Sequence, residues 1–190
     1  MSAATDIGAF ARALPPHPFG LEEWDALPEG LPAKVELLEG VLMVRSRPSA
    51  RHQRVAVLVM NALAAVLPPE WCAVPKLDVL IEGGPTPTVR APDVVVIRTA
   101  TADHRTRQDP ADVLLAVEVQ SPGSRRTDRV AKLAEYAEVG IAHYLLVEPG
   151  PPVVLTELLL DDGAYRVRAE HRGRAELALG ATIDLDALDR

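Results

Sequence analysis

Two short apolar runs, each carrying one carboxylate, constrain the fold of this chain most strongly. The first is Asp93-Val94-Val95-Val96-Ile97, preceded by Pro92, and the second is 113–120, which reads VLLAVEVQ and contains Glu118. Short Val/Ile/Leu runs bounded by Pro, Gly or Asp are typical of buried strands. An unpaired carboxylate in such a strand costs roughly several kcal/mol. We therefore expect a compensating cation, and a hard divalent ion such as Mg²⁺ takes carboxylate oxygens.

The two acids also have a simpler interpretation. Asp93 could be a turn former at the start of a strand, and Glu118 could pair with an arginine. Glu118 and Gln120 lie two positions apart, so their side chains share one face of the strand. The residues alone leave both interpretations open.

Periodicity and turn residues predict an α/β chain around these runs. Ser49 is a candidate cap for a helix whose apolar residues recur at helical steps, and Gly140 is a candidate end for a second helix. The first predicted elements are a helix at 21–27, a hairpin of 35–38 and 41–44, a helix from 50 to 66, and strands at 71–74 and 76–81. The strands of Asp93 and Glu118 follow, joined by a polar loop with Arg105 and Arg107. The last predicted elements are a helix at 125–139, a strand at 143–147, a hairpin of 153–160 and 165–171, and a terminal element at 182–188.

Length and composition predict a single domain. A chain of 190 residues is long enough to bury one core. Residues 1–20 are rich in Ala and Pro without periodicity, so we expect a poorly ordered lead-in before a domain at 21–190. The lone Cys72 permits no internal disulfide and fits a reduced cytoplasm. No apolar run approaches the ~20 residues of a membrane span, so no membrane partner is expected.

The charge of the chain is unevenly distributed. The net charge of −7 argues against a nonspecific nucleic-acid binder. Residues 45–132, however, hold thirteen basic and nine acidic residues, a net of +4, whereas the segments on either side are acidic. This basic segment therefore coincides with the two carboxylates, as phosphate binding requires, although a solvated basic surface gives the same count.

The residues around the two acids form an ordered set of motifs. Pro92-Asp93 is followed by 118–124, which reads EVQSPGS. The set continues with Asp128, Lys132 and Tyr136 at four-residue steps, and with 140–144, which reads GIAHY. Upstream, 36–40 reads ELLEG and 49–52 reads SARH. This set resembles the Uma-two family of endonucleases in the PD-(D/E)xK superfamily, over about Leu21 to Leu188.

The resemblance implies a fold, an activity and a site. The fold is restriction-endonuclease-like, with an αβββαβ core, a mixed central sheet flanked by helices, an N-terminal hairpin and C-terminal strands. The activity is Mg²⁺- or Mn²⁺-dependent endonucleolytic cleavage of DNA, or of RNA. Asp93, Glu118 and the Val119 carbonyl would hold the metal, and Glu36 would be a further acid of the site. A homodimer would suit the two scissions of duplex cleavage.

The lysine of the superfamily motif would fall at Gln120, which carries no charge. The resemblance implies that Lys132, on the following helix, takes this role. The helical pattern alone points elsewhere, because Val130, Leu133, Ala134 and Ala137 form the apolar stripe. Lys132 could then be a surface partner of Asp128, and Gln120 remains a rival for the role. Glu36 could likewise face solvent on an alternating hairpin strand.

Basic residues near two helix starts are candidate phosphate ligands. These are His52 and Arg51 on one helix, and Arg125 and Arg126 on the other; plain solvation is the alternative. The chain has no GxSxG, GxxxxGK or HExxH motif. Besides a nuclease, two other classes stay open: a nucleic-acid-binding module with an inactive site, suggested by Gln120, and an interaction or regulatory protein, suggested by the net acidity.

Overall fold

The computed structural model describes residues 15–28, 34–45, 48–104 and 106–189. Most of the predicted lead-in, residues 1–14, and Arg105 of the polar loop lie outside these ranges. None of the helices in the described ranges has the length and apolar character needed to cross a bilayer.

The helices and strands follow the predicted order with several additions. In chain order they are α1 (Leu21–Asp25), β1 (Lys34–Leu38), β2 (Val41–Arg45), α2 (Ala50–Ala64), β3 (Trp71–Pro75), β4 (Asp78–Glu82), β5 (Thr88–Arg90), β6 (Val94–Arg98), α3 (Thr99–Ala102), β7 (Arg107–Gln108), β8 (Val113–Val119), a π-helical turn (Thr127–Ala131) that leads into α4 (Lys132–Glu138), β9 (His143–Glu148), β10 (Val154–Asp161), β11 (Ala164–His171), β12 (Arg174–Glu176) and β13 (Thr182–Asp184). Two short 3₁₀ turns, Pro110–Asp112 and Asp186–Leu188, complete the set.

The larger sheet has six strands in the order β11-β10-β9-β8-β6-β3. All neighbours are antiparallel except β8 and β9, which run parallel. The elements α2, β3, β6, β8, α4 and β9 give the predicted αβββαβ order, which confirms the mixed α/β fold. The predicted strand at 76–81 does not belong to this core, because it forms β4 in the second sheet.

The second sheet has the order β2-β1-β5-β4-β7 and contains the predicted N-terminal hairpin. The hairpin turns at Glu39 and Gly40, which have φ of 49° and 75°. A Cβ at Gly40 would lie 2.7 Å from the Cβ of Pro18, so only glycine fits here. Strands β5 and β7 were not predicted, because two or three residues are too few to show a period of two.

The two faces of the larger sheet build separate cores. One face packs on α2 and consists of Val94, Val96, Leu115, Val117 and Val119 with Val55, Val59 and Leu63. The other face consists of Val95, Ile97 and Ala116 with Tyr136 and Tyr144. Side chains alternate along a strand, so Glu118 lies on the same face as Ala116. The strand therefore directs this carboxylate away from α2 and toward α4.

The helix after β8 buries a different face from the predicted one. Val130, assigned to the apolar stripe, is 63% exposed, whereas Asp128, Lys132 and Tyr136 are buried. The stripe prediction was therefore wrong at Val130, and also at Ala134, which is exposed. The π-helical turn has a wider repeat than an α-helix, and it changes the direction in which the preceding residues point. Asp128, Lys132 and Tyr136, which are four residues apart, therefore lie on the face that packs on the sheet.

Candidate active site

Five charged side chains from four elements meet in the interior at one end of the larger sheet. Lys34 and Glu36 come from β1, Asp93 immediately precedes β6, Glu118 is in β8, and Lys132 begins α4. Each of the three carboxylates is at most 4% exposed, and Lys132 is 3% exposed. Burying so many charges is tolerable only when they compensate one another, and the contacts among them show how this is achieved.

Lys132 is the centre of this cluster. Its Nζ lies 2.7 Å from Glu36 Oε1, 2.7 Å from Glu118 Oε1 and 3.8 Å from Asp128 Oδ1. Burial favours the neutral amine, but the negative charges of Glu118 and Glu36 raise the pKa of Lys132 above its usual range. The pairing of Lys132 with Asp128 was expected at the surface; it exists, but in the interior and beside two further acids.

Glu36 faces the interior and is fully buried. Arg90 Nη1 lies 3.4 Å from Glu36 Oε2, and the backbone N–H of Ala91 donates to Oε1 at 3.4 Å. Burial alone would raise the pKa of Glu36, but the charges of Lys132 and Lys34 and the hydrogen bond from Lys132 lower it to about 2. Glu36 is therefore an ionised member of the cluster. The alternative interpretation, in which Glu36 faces solvent on the hairpin strand, is wrong.

Glu118 is less well compensated than Glu36. Besides Lys132, its Oε1 accepts a hydrogen bond of 3.1 Å from the Tyr136 hydroxyl. Burial raises the pKa of Glu118 to about 7, even though the charge of Lys132 lowers it, and the charges of Asp93 and Asp128 raise it further. Of the two carboxylates that share Lys132, Glu118 is thus the one with the raised pKa.

Asp93 is held in a fixed orientation by three donors. Its Oδ2 accepts from the Val119 N–H at 2.9 Å and lies 3.2 Å from His52 Nε2, and its Oδ1 lies 3.2 Å from Lys34 Nζ. Burial would raise the pKa of Asp93, but the hydrogen bond from His52 and the charge of Lys34 keep it below its usual range. His52, expected to contact substrate, has its imidazole on this carboxylate. It is placed there by α2, whose N-cap Ser49 accepts from the His52 N–H.

Lys34 was not predicted as a site residue. Its Nζ lies between two carboxylates, 3.2 Å from Asp93 Oδ1 and 3.8 Å from Glu118 Oε2. One signal could have identified it: Lys34 lies two positions before Glu36 on the same strand, so both side chains share a face.

Gln120 is buried but does not join the carboxylate cluster. Its Oε1 accepts a hydrogen bond of 3.3 Å from Arg129 Nε, and its backbone N–H donates to the Val147 carbonyl. Its Nε2 is buried with no hydrogen-bond partner among the described residues. Of the two rivals for the lysine role, Lys132 is therefore the one in contact with Glu118.

Two of the four predicted phosphate ligands, Arg51 and His52, contact carboxylates of the protein. Arg51 contacts the Pro149 carbonyl and lies 2.5 Å from Asp189 Oδ1, so its guanidinium ties α2 to the C-terminal segment. Arg125 lies 4.0 Å from the carboxylate of Glu148. Arg125 and Arg126 are both exposed, so either guanidinium can meet a ligand from solvent.

A cavity of about 1430 Å³ opens onto the charged cluster. Its base includes Glu36, Asp93, Glu118 and Lys132, and its walls include the loop 120–124 and apolar side chains of α1 and β2. Neighbouring side chains thus shield the acids from bulk solvent, yet the acids face a cavity large enough to hold part of a substrate.

Asp78 lines the same cavity and provides a test of its electrostatics. The Trp24 indole donates to Asp78 Oδ2 at 3.1 Å, and burial raises the pKa of Asp78 to about 6. An acid whose folded-state pKa is raised adds stability at low pH and loses it as pH rises through 6. We expect Asp78→Asn, which keeps an acceptor for Trp24, to be more stable than wild type at pH 8 by about 2 kcal/mol, with the difference vanishing near pH 4.

Urea unfolding at both pH values measures this difference. Asp103→Asn, at an exposed position, is the matched control and should change stability little at either pH. Equal stabilities of wild type and Asp78→Asn at pH 8 would contradict the assignment.

The donor set at the cavity base suits a hard divalent cation. Asp93 Oδ1 and Glu118 Oε2 converge on one position, where the Lys34 ammonium lies. Within the described ranges, no three His, Cys, Asp or Glu side chains surround a metal position. A cation between Asp93 and Glu118 would therefore take two protein carboxylates, with the Val119 carbonyl as the third predicted ligand, and would fill its other positions with water or substrate oxygens, as Mg²⁺ commonly does.

Comparisons with known proteins identify the family and the fold. Residues 21–186 match the model of the Uma2 family, described as "Putative restriction endonuclease". A crystal structure from Anabaena variabilis, described as "a putative nuclease belonging to DUF820", has the same fold with a TM-score of 0.65 and 16% identity, over 90% of this chain and 97% of that one. No curated protein matches the sequence. Since the family model matches most of its length, the chain belongs to the Uma2 family.

Proposed function

We propose that this protein is a metal-dependent endonuclease that hydrolyses DNA phosphodiester bonds. The observation that carries the proposal is the position of Lys132, whose ammonium contacts Glu118 and Glu36 at 2.7 Å at the base of an open cavity. Hydrolysis of a phosphodiester requires groups that activate water and stabilise negative charge. Carboxylates that can hold a divalent ion, together with a charged lysine beside them, supply both. Family membership supports the same reaction class.

The residues divide into groups that act and groups that position. A divalent ion held by Asp93 and Glu118 would polarise the phosphate and acidify a bound water. Lys132, which stays protonated, stabilises the negative charge that develops on the phosphate. His52 and the Val119 N–H fix the orientation of the Asp93 carboxylate. The Tyr136 hydroxyl and Lys132 do the same for Glu118.

The charge distribution supports a nucleic-acid substrate. Residues 45–132 carry a net charge of +4, Lys76 of this segment lines the cavity together with Lys34, and Arg126 is exposed. A polyanion is attracted to such a region in spite of the net charge of −7. DNA is the substrate proposed, with RNA as the alternative to be tested beside it, and a homodimer would serve the cutting of both strands.

A cleavage assay on mixed nucleic acids tests the proposal. Supercoiled plasmid, linear duplex, single-stranded DNA and RNA are incubated with wild type in Mg²⁺, Mn²⁺ or EDTA. We expect cleavage that requires the divalent ion and that Asp93→Asn abolishes. Arg166→Met, which removes an exposed surface charge paired with Asp161, is the control and should cleave like wild type. Absence of cleavage from every substrate in both metals would overturn the proposal.

Gln120 favours one second candidate, a nucleic-acid-binding module without activity. Its amide lies at the position where the superfamily motif has a lysine, and its buried Nε2 has no partner among the described residues. This candidate predicts that wild type binds DNA in Ca²⁺, with an affinity that falls steeply with salt, but never cuts it. Binding without cleavage in the assay above would decide for it.

A further inference from the structure

We propose that Lys34 is a built-in competitor for the divalent ion: its ammonium occupies the cation position between Asp93 and Glu118 and must leave when the metal binds. The inference rests on the proposed metal-dependent function and assigns a role to Lys34, which is not part of the motifs described in the sequence analysis. Lys34 therefore helps to determine the affinity of the site for cations and its selectivity among them.

The position of Lys34 is that of a shared cation. Its Nζ is 3.2 Å from Asp93 Oδ1 and 3.8 Å from Glu118 Oε2, the two oxygens that converge at the cavity base. A Mg²⁺ ion on the same Asp93 oxygen would lie at about 2.0–2.1 Å from it. An ammonium and a divalent ion cannot both occupy so small a space, because their charges repel. Binding of the metal is therefore an exchange of one cation for another.

The two lysines of the cluster differ in the freedom of their side chains. The Lys132 side chain is 4% exposed and makes two contacts of 2.7 Å, whereas that of Lys34 is 19% exposed, with its nearest carboxylate oxygen at 3.2 Å. Lys34 also lines the open cavity, which gives its side chain room to move. Lys132 is thus a fixed charge of the site, and Lys34 is the replaceable one.

A displaced Lys34 ammonium has another carboxylate within the same cavity. Asp78 lines this cavity, and its Oδ2 accepts a hydrogen bond from the Trp24 indole. Movement toward Asp78 would keep the Lys34 charge compensated while Asp93 and Glu118 bind the metal. Lys34 therefore lowers the affinity for a divalent ion, and it excludes monovalent ions, which gain less from the same two carboxylates.

Calorimetric titration of Mn²⁺ into three proteins tests the competition. We expect Lys34→Met to bind Mn²⁺ about tenfold or more tightly than wild type, because the competing charge is gone. Lys76→Met is the matched control: Lys76 is exposed and lines the same cavity, so this variant has the same net charge without opening the cation position. Its affinity should stay within about threefold of wild type.

A second measurement uses wild type alone and does not depend on the folding of a variant. Lysine acylation, read by mass spectrometry, is compared with and without saturating Mg²⁺. We expect Mg²⁺ to increase the modification of Lys34 several-fold while Lys132 stays protected. Unchanged Lys34 labelling, or equal Mn²⁺ affinities of wild type and Lys34→Met, overturns the inference and leaves the nuclease proposal standing. No Mn²⁺ binding by any of the three proteins overturns both.

Discussion

Replacing Lys132 with methionine is expected to lower the rate of metal-dependent DNA cleavage by about 10²-fold or more. Lys132 is the only cation within 3 Å of Glu118 among the described contacts, and it lies at the cavity base. Its charge stabilises the transition state, whereas DNA binding depends mainly on phosphate contacts elsewhere, so binding in Ca²⁺ should change little. Gln120→Ala should lower the rate much less, because its amide does not contact the carboxylates. The reverse ranking would contradict the assignment of Lys132.

The same substitution is also expected to destabilise the protein. Loss of one partner of a buried ion pair costs about 3–5 kcal/mol, and Lys132 compensates both Glu36 and Glu118. The loss should be smaller at pH 6 than at pH 8, because Glu118, whose pKa burial raises to about 7, then takes up a proton. Urea unfolding at both pH values measures this, and it also fixes the temperature at which cleavage by the folded variant is compared.

Arg90→Met is expected to cost about 3–5 kcal/mol of unfolding free energy. Arg90 is 1% exposed; its Nε and Nη2 donate to the two oxygens of Glu135 at 2.7 and 2.6 Å, and its Nη1 lies 3.4 Å from Glu36. Without the guanidinium, Glu135 loses its bidentate partner and Glu36 loses one of its cations. The double variant Arg90→Met/Glu135→Gln should recover part of the loss, since one unpaired charge is removed with its partner.

A surface pair supplies the control for Arg90. Arg172 and Glu170 lie 2.7 Å apart, but their side chains are 61% and 48% exposed. Arg172→Met should change stability by no more than about 1 kcal/mol, as exposed pairs do. Equal losses of unfolding free energy in Arg90→Met and Arg172→Met would contradict the prediction, because burial would then not make the Arg90 ion pairs more important for stability.

The parts of the fold that could be predicted are those with a clear local period. The runs of β6 and β8, the hairpin turn at Gly40 and the cap at Ser49 each depend on residues close together in sequence. The same alternation places Glu118 on the face that meets α4. The contact between Lys132 and Glu118 could not be derived from the helical pattern, because the π-helical turn moves Val130 away from the buried face of α4, which carries Lys132 and Tyr136.

The parts that could not be predicted depend on long-range packing. Arg51 and Asp189 are 138 positions apart, and no local pattern indicates that the first helix of the core binds the C-terminal segment. Lys34 likewise acquires its partner Asp93, 59 positions away, only when the second sheet packs beside β6. Strands as short as β5 and β7 form because neighbouring strands supply their hydrogen bonds, so their own sequence carries little signal.

The most direct test of the central claim is cleavage of DNA in which sulfur replaces one non-bridging oxygen of the scissile phosphate. Mg²⁺ prefers oxygen ligands, whereas Mn²⁺ tolerates sulfur better. If the divalent ion at Asp93 and Glu118 contacts the phosphate, one sulfur isomer should be cleaved far more slowly than normal DNA in Mg²⁺, and Mn²⁺ should restore most of the rate. A sulfur effect of equal size in both metals for both isomers, or cleavage that persists in EDTA, would contradict it.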